Sequence, residues 1–184
     1  KMQEGINSEA LKNYQAPIEE ARADLFALYF MMDEKLIDLG IMESLEVAKA
    51  QYSSYIRNGL FTQLVKIKPG KNLEQAHMRN RQLIASWCYE KGENENVIDK
   101  KTEKNKTYFV INDYQKLRDL FAKLLSEIQR IKSEGDYNAA KELVENYGTK
   151  VPKGLHQEAL ERFNKLDIPP FTGFINPQYV PVIE

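Results

Sequence analysis

The stretch PIEEARADLFALYFMM, residues 17–32, restricts the fold of this chain more than any other segment of similar length. Its last part, Leu25–Met32, carries no charge, and the Tyr29 hydroxyl is its single polar group. A helix of this composition has no polar face, so we expect it to be buried on nearly every side. Four charged side chains come just before it, within little more than one turn: Glu19, Glu20, Arg22 and Asp24. The chain must therefore bury this helix and also satisfy the charges at its start.

Charge and composition exclude several classes of protein. Lys and Arg number 26 and Asp and Glu number 27, so the chain lacks the positive excess with which proteins neutralise nucleic-acid phosphates. Its longest apolar run is far shorter than the ~20 residues that span a bilayer, so we expect no membrane span. The single cysteine, Cys88, excludes an internal disulfide and a thiolate metal cluster. It favours a reducing compartment such as the cytoplasm without identifying it.

Hydrophobic periodicity, together with capping residues, predicts a mainly α fold. Asn7 or Ser8 can cap a short helix that runs to Tyr14, and Pro17 suits the first turn of the next helix. The other predicted boundaries follow the same logic. The predicted helices cover residues 17–39 (ended by Gly40), 44–67, 73–91, 113–133 (capped by Asp113), 137–147 (between Asp136 and Gly148) and 153–165.

The hydrophobic period changes from that of a helix to that of a strand once, between the helices predicted at residues 73–91 and 113–133. The segments NVID and TYFVIND flank the polar run KKTEKNK, which predicts a β-hairpin at about 95–112 with a longish loop. Residues 168–184, IPPFTGFINPQYVPVIE, predict an extended C-terminal tail. The segment EGDYNAAKELVENYG resembles a tetratricopeptide-type helix, but solenoids need about three copies and we find one. We therefore expect residues 1–184 to form a single domain, or a fragment of one, with an ordinary helical hairpin at this point.

The carboxylates before the apolar run have two explanations that the residues alone leave open. Glu20 and Asp24 are four residues apart and share a helix face, whereas Glu19 points about 100° away. Acidic residues in a first turn stabilise the helix dipole by roughly 0.3–1 kcal/mol each. Alternatively, carboxylates beside an apolar helix are partly buried and must then be paired, hydrogen-bonded or bound to a metal. Arg22 can satisfy one of them, and a divalent cation could satisfy another.

Two motifs resemble those of a known family. EEARAD, residues 19–24, resembles the EECRAE zinc motif of the dipeptidyl peptidase III family in its bacterial form. AHMRNRQLIASW, residues 76–87, resembles the HMxxR helix of the same family, and a predicted hairpin follows it, as in that family. Ala21 replaces the usual cysteine, which is not a ligand. Asp24 replaces a glutamate, which shortens that side chain by one methylene.

The resemblance implies a fold, a cofactor and a role for each matching residue. The chain would be the helical part of a zinc-peptidase catalytic lobe that releases dipeptides from the N-termini of short peptides. Glu20 would be the third protein ligand of the zinc, and Glu19 and Asp24 would orient the two zinc-binding histidines. His77 would help to stabilise the oxyanion, and Arg81 would contact the substrate.

One family motif, HExxGH, is absent from these residues. In the family it supplies two zinc histidines and the general base, and it precedes the EECRAE motif. We therefore expect the chain to begin just after this motif in a longer parent protein, and to need the rest of that protein for tight zinc binding and activity.

The alternative to an enzyme is a non-catalytic helical interaction module or a degenerate relative. In that case His77 would be a hydrogen-bonded structural histidine and Arg81 a surface ion-pair partner. His156 matches nothing functional in either interpretation, and we expect it at the surface.

Overall fold

A computed structural model describes residues 10–166 of the chain. Within this range the chain forms helices and one antiparallel β-hairpin, which confirms the predicted mainly α class. No helix within it is long and apolar enough to cross a membrane. The predicted tail and the predicted cap at Asn7 or Ser8 lie outside the described residues. The elements are α1 (Gln15–Met31), α2 (Lys35–Asp38), α3 (Leu45–Leu60), α4 (Ala76–Lys91), β1 (Ile98–Glu103), β2 (Lys106–Ile111), α5 (Tyr114–Glu134), α6 (Tyr137–Tyr147) and α7 (Lys153–Asn164), with 3₁₀ turns at Lys12–Tyr14, Thr62–Lys66 and Glu93–Glu95.

The main hydrophobic core lies among α1, α3, α4, α5 and α6. Its largest fully buried side chains include Ile18 and Leu25 of α1, Tyr52 of α3, Ile84 of α4 and Phe121 of α5. Burial of each such aliphatic or aromatic side chain contributes about 1.5–3 kcal/mol. A smaller second core joins the Thr62–Lys66 turn to α4 and α7. Its members are Phe61, Leu64, Ile67, Leu73, Met78 and Ala159.

The predicted capping residues of α5 and α6 are confirmed. The Asp113 carboxylate accepts a hydrogen bond from the Lys116 backbone N–H at 2.9 Å, and Asp136 accepts one from Ala139 at 3.0 Å. Between them, Gly135 ends α5 in the left-handed region with φ 63°. Such caps satisfy backbone groups that a helix terminus otherwise leaves unpaired.

The helix predicted over residues 17–39 is wrong, because it is two helices. α1 ends at Met31 and α2 begins at Lys35. In the turn between them, the Asp33 carboxylate accepts a hydrogen bond from the Lys35 backbone N–H at 2.9 Å. Gly40, with φ 69°, follows α2 as the predicted left-handed stop.

The burial predicted for α1 is also wrong. Leu25 and Leu28 are buried, but Phe26 is 56% exposed and Phe30 is 40% exposed within the described part of the chain. Packing against α4, α5 and α6 covers only part of the helix. Burial within residues 10–166 therefore does not by itself explain why this run carries no charge.

The third and fourth helices are shorter than predicted. α3 ends at Leu60 instead of residue 67, and a 3₁₀ turn follows it. The Gln63 side chain donates to the carbonyls of Gly59 and Met78, which ties this turn to α4. α4 begins at Ala76 instead of residue 73, because the backbone at Gln75 is still extended, with ψ 134°; the Leu73 carbonyl accepts from Arg79 Nε at 2.8 Å.

The hairpin lies within its predicted range, but its loop is shorter than predicted. Glu103 pairs with Lys106, so only Lys104 and Asn105 form the turn. Their φ values are 49° and 60°. Two consecutive left-handed residues give the turn type that best matches the twist of paired strands, and asparagine tolerates this conformation well.

Helices α3 and α4 approach each other closely at Gly59. A Cβ atom at this position would lie 2.5 Å from the Arg81 carbonyl oxygen and 2.6 Å from the Ala85 Cβ. Glycine is therefore required here by space. The contact holds the last turn of α3 against the first half of α4, where the second family-like motif lies.

Candidate active site

Helix α1 directs its neighbouring carboxylates to two different sides. Glu20 and Asp24 contact side chains of α3 and α4, whereas Glu19 contacts a side chain of α5. This division follows from helix geometry, since residues four apart share a face and adjacent residues point about 100° apart.

Glu20 and His77 bring the two family-like motifs into contact. His77 Nδ1 lies 3.1 Å from Glu20 Oε2, and the side chains are 72% and 36% exposed, respectively. His77 is in the first turn of α4, one helical turn before Arg81. The other oxygen of Glu20 has no partner among residues 10–166. The pair thus presents a carboxylate oxygen and an imidazole at an accessible edge of α1 and α4.

Asp24 is held by two donors from different helices. Its Oδ2 accepts from the Tyr55 hydroxyl at 2.8 Å and from Asn80 Nδ2 at 2.8 Å. Burial, followed by the charge and hydrogen bond of Asp24, raises the pKa of Tyr55 well above its ordinary value. The phenol therefore stays protonated and acts as a donor at any physiological pH.

Glu19 forms a charged cluster on the side of α1 that faces α5. Arg22 Nη2 lies 2.5 Å from Glu19 Oε1, and the Lys132 ammonium group of α5 donates to Oε2. The predicted pairing of Arg22 with one of these carboxylates is thus observed. Glu19 is 42% exposed, and exposed ion pairs contribute only about 0–1 kcal/mol.

Arg81 shares the face of α4 that carries His77, and it is half-buried. Its positive charge acts on the Tyr55 hydroxyl, where it favours the ionised form and partly opposes the effect of burial on the pKa. Among residues 10–166 it forms no ion pair with a carboxylate. A guanidinium without a fixed carboxylate partner can bind an incoming carbonyl or carboxylate group.

His156 is not the surface residue predicted from sequence. It is 7% exposed, and its Nε2 lies 3.0 Å from the Ile67 carbonyl oxygen. It lies on α7, which packs against the Thr62–Lys66 turn. His156 is therefore a buried structural residue, which links α7 to the backbone of Ile67 in the smaller core.

The described residues could supply only part of a zinc site. Among residues 10–166, no group of three or more His, Cys, Asp or Glu side chains could hold a metal ion. A catalytic zinc normally has three protein ligands and one open position. Glu20 offers one accessible carboxylate oxygen, and Asp24 is a fixed carboxylate on the same helix face. The remaining ligands would have to come from outside the described residues.

Sequence reasoning missed Tyr55, Asn80 and Lys132. Nothing in the position of Tyr55 along the chain indicates that its hydroxyl donates to a carboxylate on another helix. Asn80 lies within the HMxxR-like segment but is not one of the residues that define it. The one available signal was that Asn80 follows His77 by three residues, which places both on neighbouring positions of a helix. Asparagine is also a poor helix former in a helix interior.

The comparison with known families agrees with these motifs. A sequence model described as peptidase family M49 matches residues 2–162. The chain therefore belongs to peptidase family M49, the dipeptidyl peptidase III family that the two motifs resemble. Peptidases of this family are in general zinc-dependent enzymes that act on peptides.

Proposed function

We propose that this chain supplies one zinc ligand and the substrate-facing helix of an exopeptidase that releases dipeptides from the N-termini of short peptides. The observation that carries the proposal is the 3.1 Å contact between Glu20 and His77. This contact supports the proposal because the two residues that we assign to zinc binding and to oxyanion stabilisation come from separate helices and lie side by side.

Glu20 would be the third zinc ligand beside two histidines. These 184 residues contain no HExxGH sequence, so the histidines and the general base would come from another part of the parent protein. When bound, the zinc would polarise the scissile carbonyl and lower the pKa of its water. The free oxygen of Glu20 is accessible enough to coordinate such an ion without unfolding its surroundings.

The other side chains would orient ligands and substrate. His77 would donate a hydrogen bond to the peptide oxygen that gains negative charge, and Arg81 would bind the peptide. Glu19 and Asp24 would accept hydrogen bonds from the zinc histidines and fix their rings. Arg22 and Lys132 would hold the Glu19 carboxylate in place for this purpose.

Glu20→Ala in the full-length parent protein tests the ligand assignment. We expect zinc content after dialysis and hydrolysis of a dipeptidyl-naphthylamide to fall together, whereas Glu20→Asp should retain weak zinc binding. Glu43→Ala is the matched control, because Glu43 is exposed and has no partner among the described residues. Normal zinc content and rate in Glu20→Ala would favour the helix-dipole explanation and a non-catalytic module.

His77→Ala tests the catalytic assignment. Loss of one oxyanion donor typically lowers kcat by ~10²–10³, which corresponds to about 2.7–4 kcal/mol, and should leave KM and zinc content near normal. Because His77 is 72% exposed, its removal should hardly change the melting temperature. Arg81→Ala should instead raise KM. A His77→Ala protein that turns over at the normal rate would contradict the assignment.

The 184-residue chain by itself should neither bind zinc tightly nor cleave peptides, because it would hold one ligand and no general base. Metal analysis after dialysis and the same hydrolysis assay check this. Stoichiometric zinc or sustained turnover would show that the chain builds a different site.

A further inference from the structure

The second carboxylate of the Glu20 face, Asp24, has one saturated oxygen and one open oxygen. Oδ2 accepts two hydrogen bonds of 2.8 Å, from Tyr55 on α3 and Asn80 on α4. A carboxylate oxygen has about two acceptor positions, so Oδ2 has no capacity left. Oδ1 has no partner among residues 10–166. Any further donor that approaches Asp24 must therefore bind at Oδ1.

Asn80 has an orientation that only Asp24 explains. The side chain is 1% exposed, and its Oδ1 is buried without a hydrogen-bond partner in the described part of the chain. A buried oxygen without a partner is unfavourable, and an apolar side chain of similar size would avoid it. Rotation of the amide by 180° would bring this oxygen against the Asp24 carboxylate. The observed orientation is thus fixed by the bond that Nδ2 donates.

Tyr55 is an equally fixed donor. Its hydroxyl stays protonated because burial and the Asp24 charge raise its pKa. Its helix cannot slide away from α4 freely, since Gly59, one turn later, packs directly on the Arg81 backbone. The two donors therefore reach Asp24 from two helices whose separation is set by close packing.

We propose that Tyr55 and Asn80 are positioning residues, which hold Asp24 so that its Oδ1 accepts the N–H of a zinc-binding histidine. The proposal rests on the proposed function, in which Asp24 orients such a histidine. It also explains how Asp24, one methylene shorter than the glutamate of the family motif, can orient a histidine. The two hydrogen bonds hold its shorter side chain in one direction. Neither residue would touch zinc or substrate.

The test uses the full-length parent protein and measures zinc affinity by competition with a chelator. Tyr55→Phe removes one donor with little change in volume, and Asn80→Leu removes the other while it keeps the branched shape of the side chain. We expect each to weaken zinc binding several-fold and the double variant to approach the loss caused by Asp24→Ala, on the order of 10–100-fold. In the Asp24→Ala background, neither change should weaken zinc binding further, because residues that act through one partner are not additive.

Tyr114→Phe is the matched control. It also removes an interhelical tyrosine hydrogen bond, the 2.9 Å contact with Ser53 Oγ, but at a position away from Asp24. It should leave zinc affinity unchanged. The melting temperatures of the metal-free variants separate folding from positioning, since a purely structural role would lower the melting temperature and leave the zinc affinity of the folded protein intact.

The outcomes separate this proposal from the proposed function. If Glu20→Ala abolishes zinc binding while Tyr55→Phe and Asn80→Leu only lower the melting temperature, the positioning role is wrong and the zinc-ligand assignment stands. If Glu20→Ala leaves zinc binding intact, the proposed function itself fails. Loss of zinc affinity in Tyr55→Phe and Asn80→Leu but not in Tyr114→Phe supports the positioning role.

Discussion

Gly59→Ala should destabilise the fold through one defined contact between α3 and α4. The new Cβ would lie 2.5 Å from the Arg81 carbonyl oxygen and 2.6 Å from the Ala85 Cβ. Non-bonded carbon contacts are most favourable at about 3.5–4.0 Å, so the two helices would have to separate by close to 1 Å. The atoms concerned are backbone and a Cβ, which cannot rotate out of the way.

The size of the effect follows from two opposing contributions. Overpacking of this kind costs about 1–3 kcal/mol, whereas replacing glycine by alanine inside a helix gains roughly 0.5–1 kcal/mol. Gly59 lies at the end of α3, where the gain is smallest. We therefore expect a net loss of about 1–2 kcal/mol in the free energy of unfolding. For a protein of this size, that loss lowers the melting temperature by about 2–8 °C.

Thermal unfolding followed by circular dichroism measures this loss, and Gly154→Ala provides the control. Gly154 lies in α7, and an added Cβ there would have no atom within 4 Å. The same substitution should therefore leave stability unchanged or raise it slightly. A Gly59→Ala protein that is as stable as the unmodified chain would refute the close-packing argument. In the parent protein, Gly59→Ala should also weaken zinc binding, because Tyr55 moves with α3.

Three further predictions concern residues outside the candidate site. Cys88 is buried and burial raises its pKa, so a thiol reagent at neutral pH should label it only after denaturant is added. His156→Ala should lower the free energy of unfolding by roughly 1–3 kcal/mol, measured by urea denaturation, while the parent's kcat stays normal. The Ala139 backbone N–H, and then Arg130, lower the pKa of Asp136. Its contribution to stability is therefore complete above the unfolded pKa of about 3.9 and lost as pH falls through the lower folded value. Asp136→Asn, which keeps a capping side chain, should weaken this acid dependence in urea midpoints measured from pH 5 to 2.

The parts of the fold that sequence predicted correctly depend on local chemistry. Asp113 and Asp136 cap helices through bonds to residues three positions away, and Gly40 adopts a left-handed conformation that its lack of a side chain permits. Hydrophobic periodicity and capping residues are signals of this short-range kind, so they predict such features from the sequence. The early end of α1 also had a local signal, the charged residues Asp33 and Glu34 that follow the apolar run and form the turn before α2.

The errors arise where distant residues decide the structure. The end of α3 is followed by a turn in which Gln63 bonds to Met78, and the burial of His156 depends on α7 packing against that turn, next to Ile67. Neither contact can be inferred from spacing along the chain. The same limit applies to the site: the motifs identified Glu20 and His77, whereas the donors to Asp24 come from α3 and α4 and became visible only with the helices assembled.

The division of Glu19 and Glu20 between two flanks of α1 has a mechanical consequence. Glu19 is bonded to Lys132 of α5, and Glu20 contacts His77 of α4. A turn of α1 about its own axis would lengthen these contacts, so each adds a small resistance, about 0–1 kcal/mol for an exposed pair, to the rotational position that the buried Ile18 and Leu25 already set. Lys132, although it lies on another helix, therefore helps to set the direction in which the Glu20 carboxylate points.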